Sequence, residues 1–493
     1  MSNIGYASQG GSIWDQSFQG FWAESQSATK DNLSRSKMAS RSRILYEGSS
    51  IGRSLIDRIT GGAVGSGLYY SPLPTSKYFN NYSQITEYLS DRMQLFSSAH
   101  AFDTSGRWTL SELQRAAFHN MILSGDVFLV RTRRNGVSSW RIREEFSCQT
   151  PKRLLSKINS RGLVELDNGH VIIDGVEISK LKPVAYYFTD APFSGDPDYV
   201  RVPAFDGDGF PIVLHAAYTN RADEYRGVPV MAPVIENVWS SLAYTKAETQ
   251  AAIIEACNVF AVTTDTVNNT INPFSGLTDT QLDAPIVPDK TDDFQLDPFG
   301  GSLRNSWLSG ALKTANYVTP GQSIHLAPGE DVKSIDTKRP NSGYAAFIDS
   351  QIMLMGAAIG IPKQILSQNF DATYSSAKAA VVQYKRTCEQ FRRRFEESVI
   401  KPMFAVFARD CIIQSAATLD DGKRIAREKA PLLAMESVWR CKESPLVLDP
   451  TKELDYYLRA VEAGFISRDE AAQMLFGHDA VSDGVASGNA KTI

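Results

Sequence analysis

Between Leu326 and Lys401 a turn-rich Leu326-Ala327-Pro328-Gly329-Glu330 leads into an apolar helix, an Ile-Pro break, a polar loop and a basic amphipathic helix. Tyr344 to Ile361 reads as one helix rich in Ala, Met and Ile, and Pro362 stops it because proline has no N–H and disfavours helix in its predecessor. Lys363 to Asp371 then reads as a loop of hydrogen-bonding side chains with a single cation, and a helix restarts near Tyr374. In that helix Val381, Tyr384, Cys388, Phe391, Phe395 and Val399 recur at steps of three and four, so they share one face. Lys385, Arg386, Arg392, Arg393 and Arg394 crowd the rest, which must meet water or an anionic partner. Pro402 predicts a kink or an end. Such a layout builds architecture, not a catalytic pocket.

A chain of 493 residues suggests two to four compact units with ample material for a core. Apolar content of 43% and charged content of 22% are those of an ordinary globular protein. The net charge of −4 lacks the basic excess usual in a nucleic-acid binder. Cys148, Cys257, Cys388, Cys411 and Cys441 are scattered with no C-x-x-C, which predicts reduced thiols rather than a disulfide framework or a metal site. Met1 to Gly20 lacks a basic n-region and an apolar run, so a signal peptide is not expected. No stretch reaches the roughly 18 apolar residues of a membrane span.

Residues 1–28 are poor in aliphatic side chains and predict a mobile segment in which Trp14, Phe18, Phe21 and Trp22 could anchor on a neighbour. Asn32 to Ile59 reads as one basic helix ended by Gly61, Gly62, Gly65 and Gly67. Further helices are predicted over Ser83–Leu95 and Leu110–Ser124. Strand-like alternation follows at 127–133, 138–144, 162–167, 171–173 and 184–188, with turn signals at Asn135-Gly136, Asn168-Gly169 and Asp174-Gly175. Helices followed by strands give an α+β body. Pro229 and Pro233 introduce a helix to about Asn258, whose ~25 residues would span roughly 38 Å. Between Val262 and Arg339 the pattern turns irregular, proline-rich and acidic, which suggests an inserted module.

Enzyme signatures are missing. There is no G-x-x-x-x-G-K-[ST] phosphate cradle and no H-E-x-x-H among the six histidines. Ala63-Val64-Gly65-Ser66-Gly67 misses the G-x-S-x-G elbow at its first position and follows a helix where the elbow needs a strand. Neither a catalytic residue, a cofactor nor a metal is expected.

The succession of several motifs resembles one family. These are Ile51-Gly52-Arg53 to Gly65-Ser66-Gly67-Leu68; Phe102-Asp103 with Gly106-Arg107 and Leu113-Gln114-Arg115; and Gly125-Asp126-Val127-Phe128. Tyr225-Arg226-Gly227-Val228-Pro229 with Ala232-Pro233 follows, then Leu326 to Glu330, then Ile361-Pro362 before Tyr374-Ser375-Ser376. In this order, over roughly Arg35 to Ile413, they resemble the lambda-type portal proteins of tailed bacteriophages, the head-tail connectors.

That resemblance implies a helix-rich α+β portal fold with wing, stem, clip and crown regions assembled as a cyclic ring around an axial DNA channel. It implies a wing at 29–233, stem helices at 234–259 and 341–361 and a clip at 260–340. A tunnel loop would occupy 362–373, a long wing helix 374–416 and a helical crown 417–493. It further implies a ring of about twelve copies at one capsid vertex of the virion, assembled in the host cytoplasm. The ring would nucleate procapsid assembly with the major capsid and scaffolding proteins. It would dock the terminase large subunit, pass double-stranded DNA in packaging and ejection, and later hold head-completion and tail adaptor proteins. No membrane is involved. Lys363, Gln364, Ser367, Gln368 and Asn369 would line the channel. Asp289, Asp292, Asp293 and Asp297 would serve docking at the clip, and Arg392, Arg393 and Arg394 an intersubunit or DNA-facing basic helix. Two other classes fit the residues: a monomeric, sequence-independent duplex DNA-binding protein using the basic helices, and a hydrolase with dispersed catalytic residues.

Overall fold

The basic stretch read as one helix is two, α1 (Ala28–Gly48) and α2 (Ser50–Ala63). Ser49 takes an extended conformation between them, and its hydroxyl accepts the Gly52 N–H at 3.3 Å, a cap that starts a new helix. The computed structural model describes residues 28–72, 76–134, 137–158, 163–190, 198–222, 224–256, 260–264, 330–334, 343–369, 374–416, 419–441, 450–466, 468 and 471. Residues 1–27, with their four spaced aromatics, therefore lie outside the described residues, as do Cys257 and the clip aspartates Asp289, Asp292, Asp293 and Asp297. Among the described residues no helix is long and apolar enough to cross a membrane, and the described cysteines are free thiols.

β1 (Leu68–Pro72), α3 (Tyr82–Ser98) and α4 (Leu110–Ser124) follow. α4 opens on a reciprocal cap in which Thr109 and Glu112 accept each other's backbone N–H. It ends at Gly125, whose φ of 91° is a left-handed conformation that glycine adopts without steric cost. The chain then reverses directly into β2 (Asp126–Arg134) and β3 (Val137–Glu144), followed by the short α5 (Lys152–Leu155) and β4 (Val164–Glu165). β5 (Val171–Ile173), β6 (Val176–Ser179), β7 (Lys182–Phe188), β8 (Val200–Pro203) and β9 (Val213–Ala217) complete the body.

The strands form two antiparallel sheets, ordered β3-β2-β9 and β4-β5-β6-β7-β8. Because side chains alternate along a strand, β2 serves two cores. Val127 and Leu129 join the helices in one, with Leu113, Phe118 and Met121 of α4. Phe128 points the other way, to Val176, Tyr186, Phe188 and Val213.

The chain divides into two compact units, one of Met1–Ser241 with Ala346–Ile493 and one of Leu242–Ala345. α6 (Ile235–Ala256) leads out of the first. In the second, the stretch read as aperiodic holds a strand at each end: β10 (Phe260–Thr264) pairs antiparallel with β11 (Glu330–Ser334). Tyr244 stacks on Tyr344 at 5.7 Å in the same unit.

α7 (Gly343–Ile359), α8 (Lys363–Ser367) and α9 (Tyr374–Phe395) follow, and the predicted stripe from Val381 to Val399 is buried. Pro402 does not end the helix. A π-turn over Glu396–Ile400 passes directly into α10 (Lys401–Ser415), with Pro402 in its first turn, so the local change of winding absorbs the missing N–H. α11 (Leu419–Met435) packs back on α10, and α12 (Pro450–Glu462) closes the described chain. The region after 417, expected to be helical, also contains β12 (Ser437–Cys441), paired antiparallel with β1 from Leu68↔Cys441 to Pro72↔Ser437.

The body is fastened by a buried ionic network. Asp126, which follows the Gly125 turn, accepts from Arg226 Nε at 2.5 Å, from the Gly227 N–H and from His215 at 3.2 Å. Arg226 is itself fully buried and also donates to the carbonyls of Glu145 and Cys148, each at 3.0 Å, and of Asp174. Arg35 of α1 reaches Asp174 at 2.6 Å, and Arg43 reaches Glu145 at 2.7 Å. Three guanidiniums thus face the carboxylates of Asp126, Glu145 and Asp174. Burial alone would raise the Asp126 carboxyl, but the facing Arg226, with His215 and Arg35, holds it well below the usual carboxylate range. Burial pushes the His215 imidazole down, keeping it neutral beside a network that is already balanced.

Removing one partner strands the other charge in an interior that cannot hydrate it. Arg226→Met is therefore expected to cost about 3–5 kcal/mol in urea unfolding, and Asp126→Asn added to it should recover part of that loss. A cost below about 1 kcal/mol for the single variant, the range of an exposed pair, would show that the network does not fasten the body.

Candidate functional site

The segment after the Ile361-Pro362 break is fixed by its neighbours on both sides. α7 ends where the N–H groups of Gly360 and Ile361 both reach the Gly356 carbonyl at 2.8 Å, and Thr387 of α9 donates to the Gly360 carbonyl at 2.9 Å. Ile361 is buried, and the Pro362 carbonyl then accepts from Ile365 and Leu366 at 3.0 and 3.1 Å. Lys363 to Ser367, read as loop, is thus a short helix. Ile365 and Leu366 drive it by entering the main core, while Ser367 turns its hydroxyl back onto the Lys363 carbonyl at 2.9 Å.

Of the five residues proposed to line a channel, Gln368 and Asn369 are exposed and Lys363, Gln364 and Ser367 half-buried. The single cation is not isolated, since Lys363 Nζ lies 2.9 Å from Asp349 of α7. Residues 370–373 lie outside the described residues.

The carboxyl-terminal half of α2 gathers these parts. Ser54 donates to the Leu366 carbonyl at 3.1 Å, and the Arg58 guanidinium meets the Gln368 side-chain amide, whose oxygen is assigned to that side because a guanidinium only donates. Tyr384 of α9 donates to the Arg58 carbonyl at 2.6 Å. Arg392 donates to the carbonyls of Ala63 and Gly62 at 2.6 and 3.3 Å, placing a cation on carbonyls that a helix end leaves without partners.

The basic face of α9 is correspondingly smaller than its sequence suggests. Arg392 caps α2, and Arg394 lies 5.0 Å from the centre of the Tyr218 ring. Arg393 is exposed and paired with Glu389 at 2.7 Å. With Lys385 and Arg386 also exposed, three of the five cations read on this face point outward and two do not. Ser54 and Arg58 carry no local signal of their positioning role, because their contacts are more than three hundred residues away in sequence.

A groove of about 460 Å³ is lined by Arg92, Phe96, His100, Asp103, Val137 and Gln414 among others. The carboxylate of Asp103 is engaged in holding its own loop, accepting from the hydroxyl of Ser105 and from the N–H groups of Ser105, Arg107 and Trp108. These contacts hold the Phe102-Asp103…Gly106-Arg107 loop, while the Asp126–Arg226 pair joins Gly125-Asp126 to Tyr225-Arg226-Gly227.

Compared with known proteins, residues 15–392 match the model of the phage portal protein, lambda family. Over 330 residues the chain is 22% identical to a portal protein of Escherichia phage N15. The match takes in 65% of this chain and 58% of that protein. Among solved structures it is similar to a chain from the neck of a native gene transfer agent particle computed with C12 symmetry, at TM-score 0.41 and 15% identity, over 90% of this chain and 92% of that one. It is also similar to an HK97 family phage portal protein from Corynebacterium diphtheriae, at TM-score 0.30 and 9% identity, over 73% of this chain and 86% of that one.

α2 and α9 approach so closely at Gly62 that a Cβ there would overlap the Tyr384 hydroxyl and the Cys388 sulfur. Gly62→Ala should therefore destabilise by about 1–3 kcal/mol, as overpacking does, despite the better helix propensity of alanine. Equal thermal midpoints for wild type and Gly62→Ala would contradict this packing.

Proposed function

The chain belongs to the lambda family of phage portal proteins, and from that premise we propose that it forms a closed ring at one capsid vertex and conducts double-stranded DNA. The observation that carries this reading is the family match across 15–392, which spans the body, the two helices flanking the insertion and the segment after the Ile361-Pro362 break. In this reading 29–233 is the wing, 234–259 and 341–361 the stem, 260–340 the clip, 362–373 the tunnel loop and 374–416 the long wing helix. The region after 417 is the crown, with the amendment that β12 ties its first part to β1 of the wing.

A ring of about twelve copies needs a heterologous contact that closes by rotation. The ring nucleates head assembly with capsid and scaffolding proteins and docks the terminase motor at the clip, where Asp289, Asp292, Asp293 and Asp297 supply negative charge. After packaging it holds head-completion and tail proteins and releases the DNA on ejection. The sequence has no phosphate-cradling loop, so the energy of translocation is assigned to the motor.

Two features support the conduit. At −4 per chain a ring is acidic, so the salt-dependent attraction that would hold a duplex still is weak. The tunnel segment adds polar side chains and a lysine already paired with Asp349, which gives contacts that exchange easily. Lys363→Glu is expected to lower the DNA packaged per particle while rings still assemble. Rings that fail to form in this variant would make Lys363 a structural residue and remove the tunnel placement.

A further inference from the structure

We propose that Arg58 is a positioning residue that turns the Gln368 amide so that its N–H₂ edge, and not its oxygen, faces the phosphate oxygens of passing DNA. This rests on the reading of 362–373 as the DNA-facing segment and adds to it which group makes the contact and what aims it.

Three observations carry the inference. Gln368 ends α8 in a left-handed conformation, φ 56° and ψ 23°, where helices usually place glycine or asparagine. Second, the Gln368 amide lies against both terminal nitrogens of Arg58, and its oxygen is assigned to that side because only the oxygen can pair with them. A guanidinium donates and never accepts, so the oxygen is committed and both amide hydrogens remain for an acceptor elsewhere. Third, Gln368 is exposed, whereas Arg58 is half-buried and anchored through its own carbonyl by the Tyr384 hydroxyl at 2.6 Å.

Phosphate oxygens accept hydrogen bonds and do not donate, so a donor edge has the polarity that a backbone contact needs. The donors are also neutral. A ring of them holds the duplex through contacts that exchange as it advances, without the tight counterion-releasing grip of a ring of arginines. Ser54 supports the arrangement from the same helix by fixing the Leu366 carbonyl at 3.1 Å, so α2 sets both the height and the facing of the segment.

The test uses particles assembled with the full-length chain carrying Gln368→Gly, Gln368→Glu or Arg58→Lys. The measurements are DNA per particle, ring mass and thermal midpoint. Glycine keeps the left-handed turn and removes the donors. Glutamate keeps one oxygen on Arg58 and presents the other outward as an acceptor. Lysine cannot fork two bonds onto one oxygen. Both Gln368 variants should retain wild-type ring mass, with Gln368→Glu at or above the wild-type midpoint. Both should package less DNA per particle than wild type, and Arg58→Lys should fall in the same direction. Wild-type DNA content in the Gln368→Glu and Gln368→Gly particles would overturn the proposal, and so would loss of rings, which would reduce Gln368 to a helix cap. Wild-type particles that hold no DNA would instead remove the conduit reading beneath it, a result visible without any variant.

Discussion

The Asp126–Arg226 ion pair is the contact on which the body depends. It joins the first residue of a central strand to a loop one hundred residues later, and it does so with both side chains fully buried. Desolvating two charges is expensive unless geometry and further hydrogen bonds repay it, and here Arg226 also takes up the carbonyls of Glu145, Cys148 and Asp174. The pair therefore selects one arrangement of β2, the turn after β3, the β5–β6 hairpin and α1.

From this body α2 carries the arrangement to the segment after the proline break. One side of the helix sits in the main core through Leu55, Ile56 and Ile59. Its carboxyl-terminal half receives Arg392 and Tyr384 from α9, and Ser54 and Arg58 hold the chain from Leu366 to Gln368. The proposed DNA-facing side chains are thereby placed by a helix whose own position the core fixes, which is how a site keeps its geometry under load.

Much of this was legible in the sequence where one periodicity ruled. The stripe from Val381 to Val399 and the helix over 110–124 were plain, because a buried face and a capping box are local signals. Less legible was anything decided at a distance. The strands over 68–72, 200–203 and 437–441 are short, and β1 and β12 exist because they pair with each other across the chain. A serine inside a basic stretch began a new helix, while the proline expected to kink or end one sits in the first turn after a π-turn and the helix continues. Arg392 and Arg394 looked like a solvent-facing basic run because sequence cannot tell a cation that meets water from one that caps a helix or lies on a tyrosine. Gly125-Asp126 and Tyr225-Arg226-Gly227 were readable as parts of a family resemblance, and the buried pair joins them in this fold.

A portal subunit works only if its copies close into a ring around a passage for DNA. Native mass determination of the full-length protein, with electron microscopy of the same sample, tests it most directly. Closed rings with an axial hole are expected, at about twelve times the 54.3 kDa chain mass or a neighbouring multiple, as a cyclic heterologous interface requires. A monodisperse 54.3 kDa monomer that binds duplex DNA tightly, with a steep salt dependence, would contradict it.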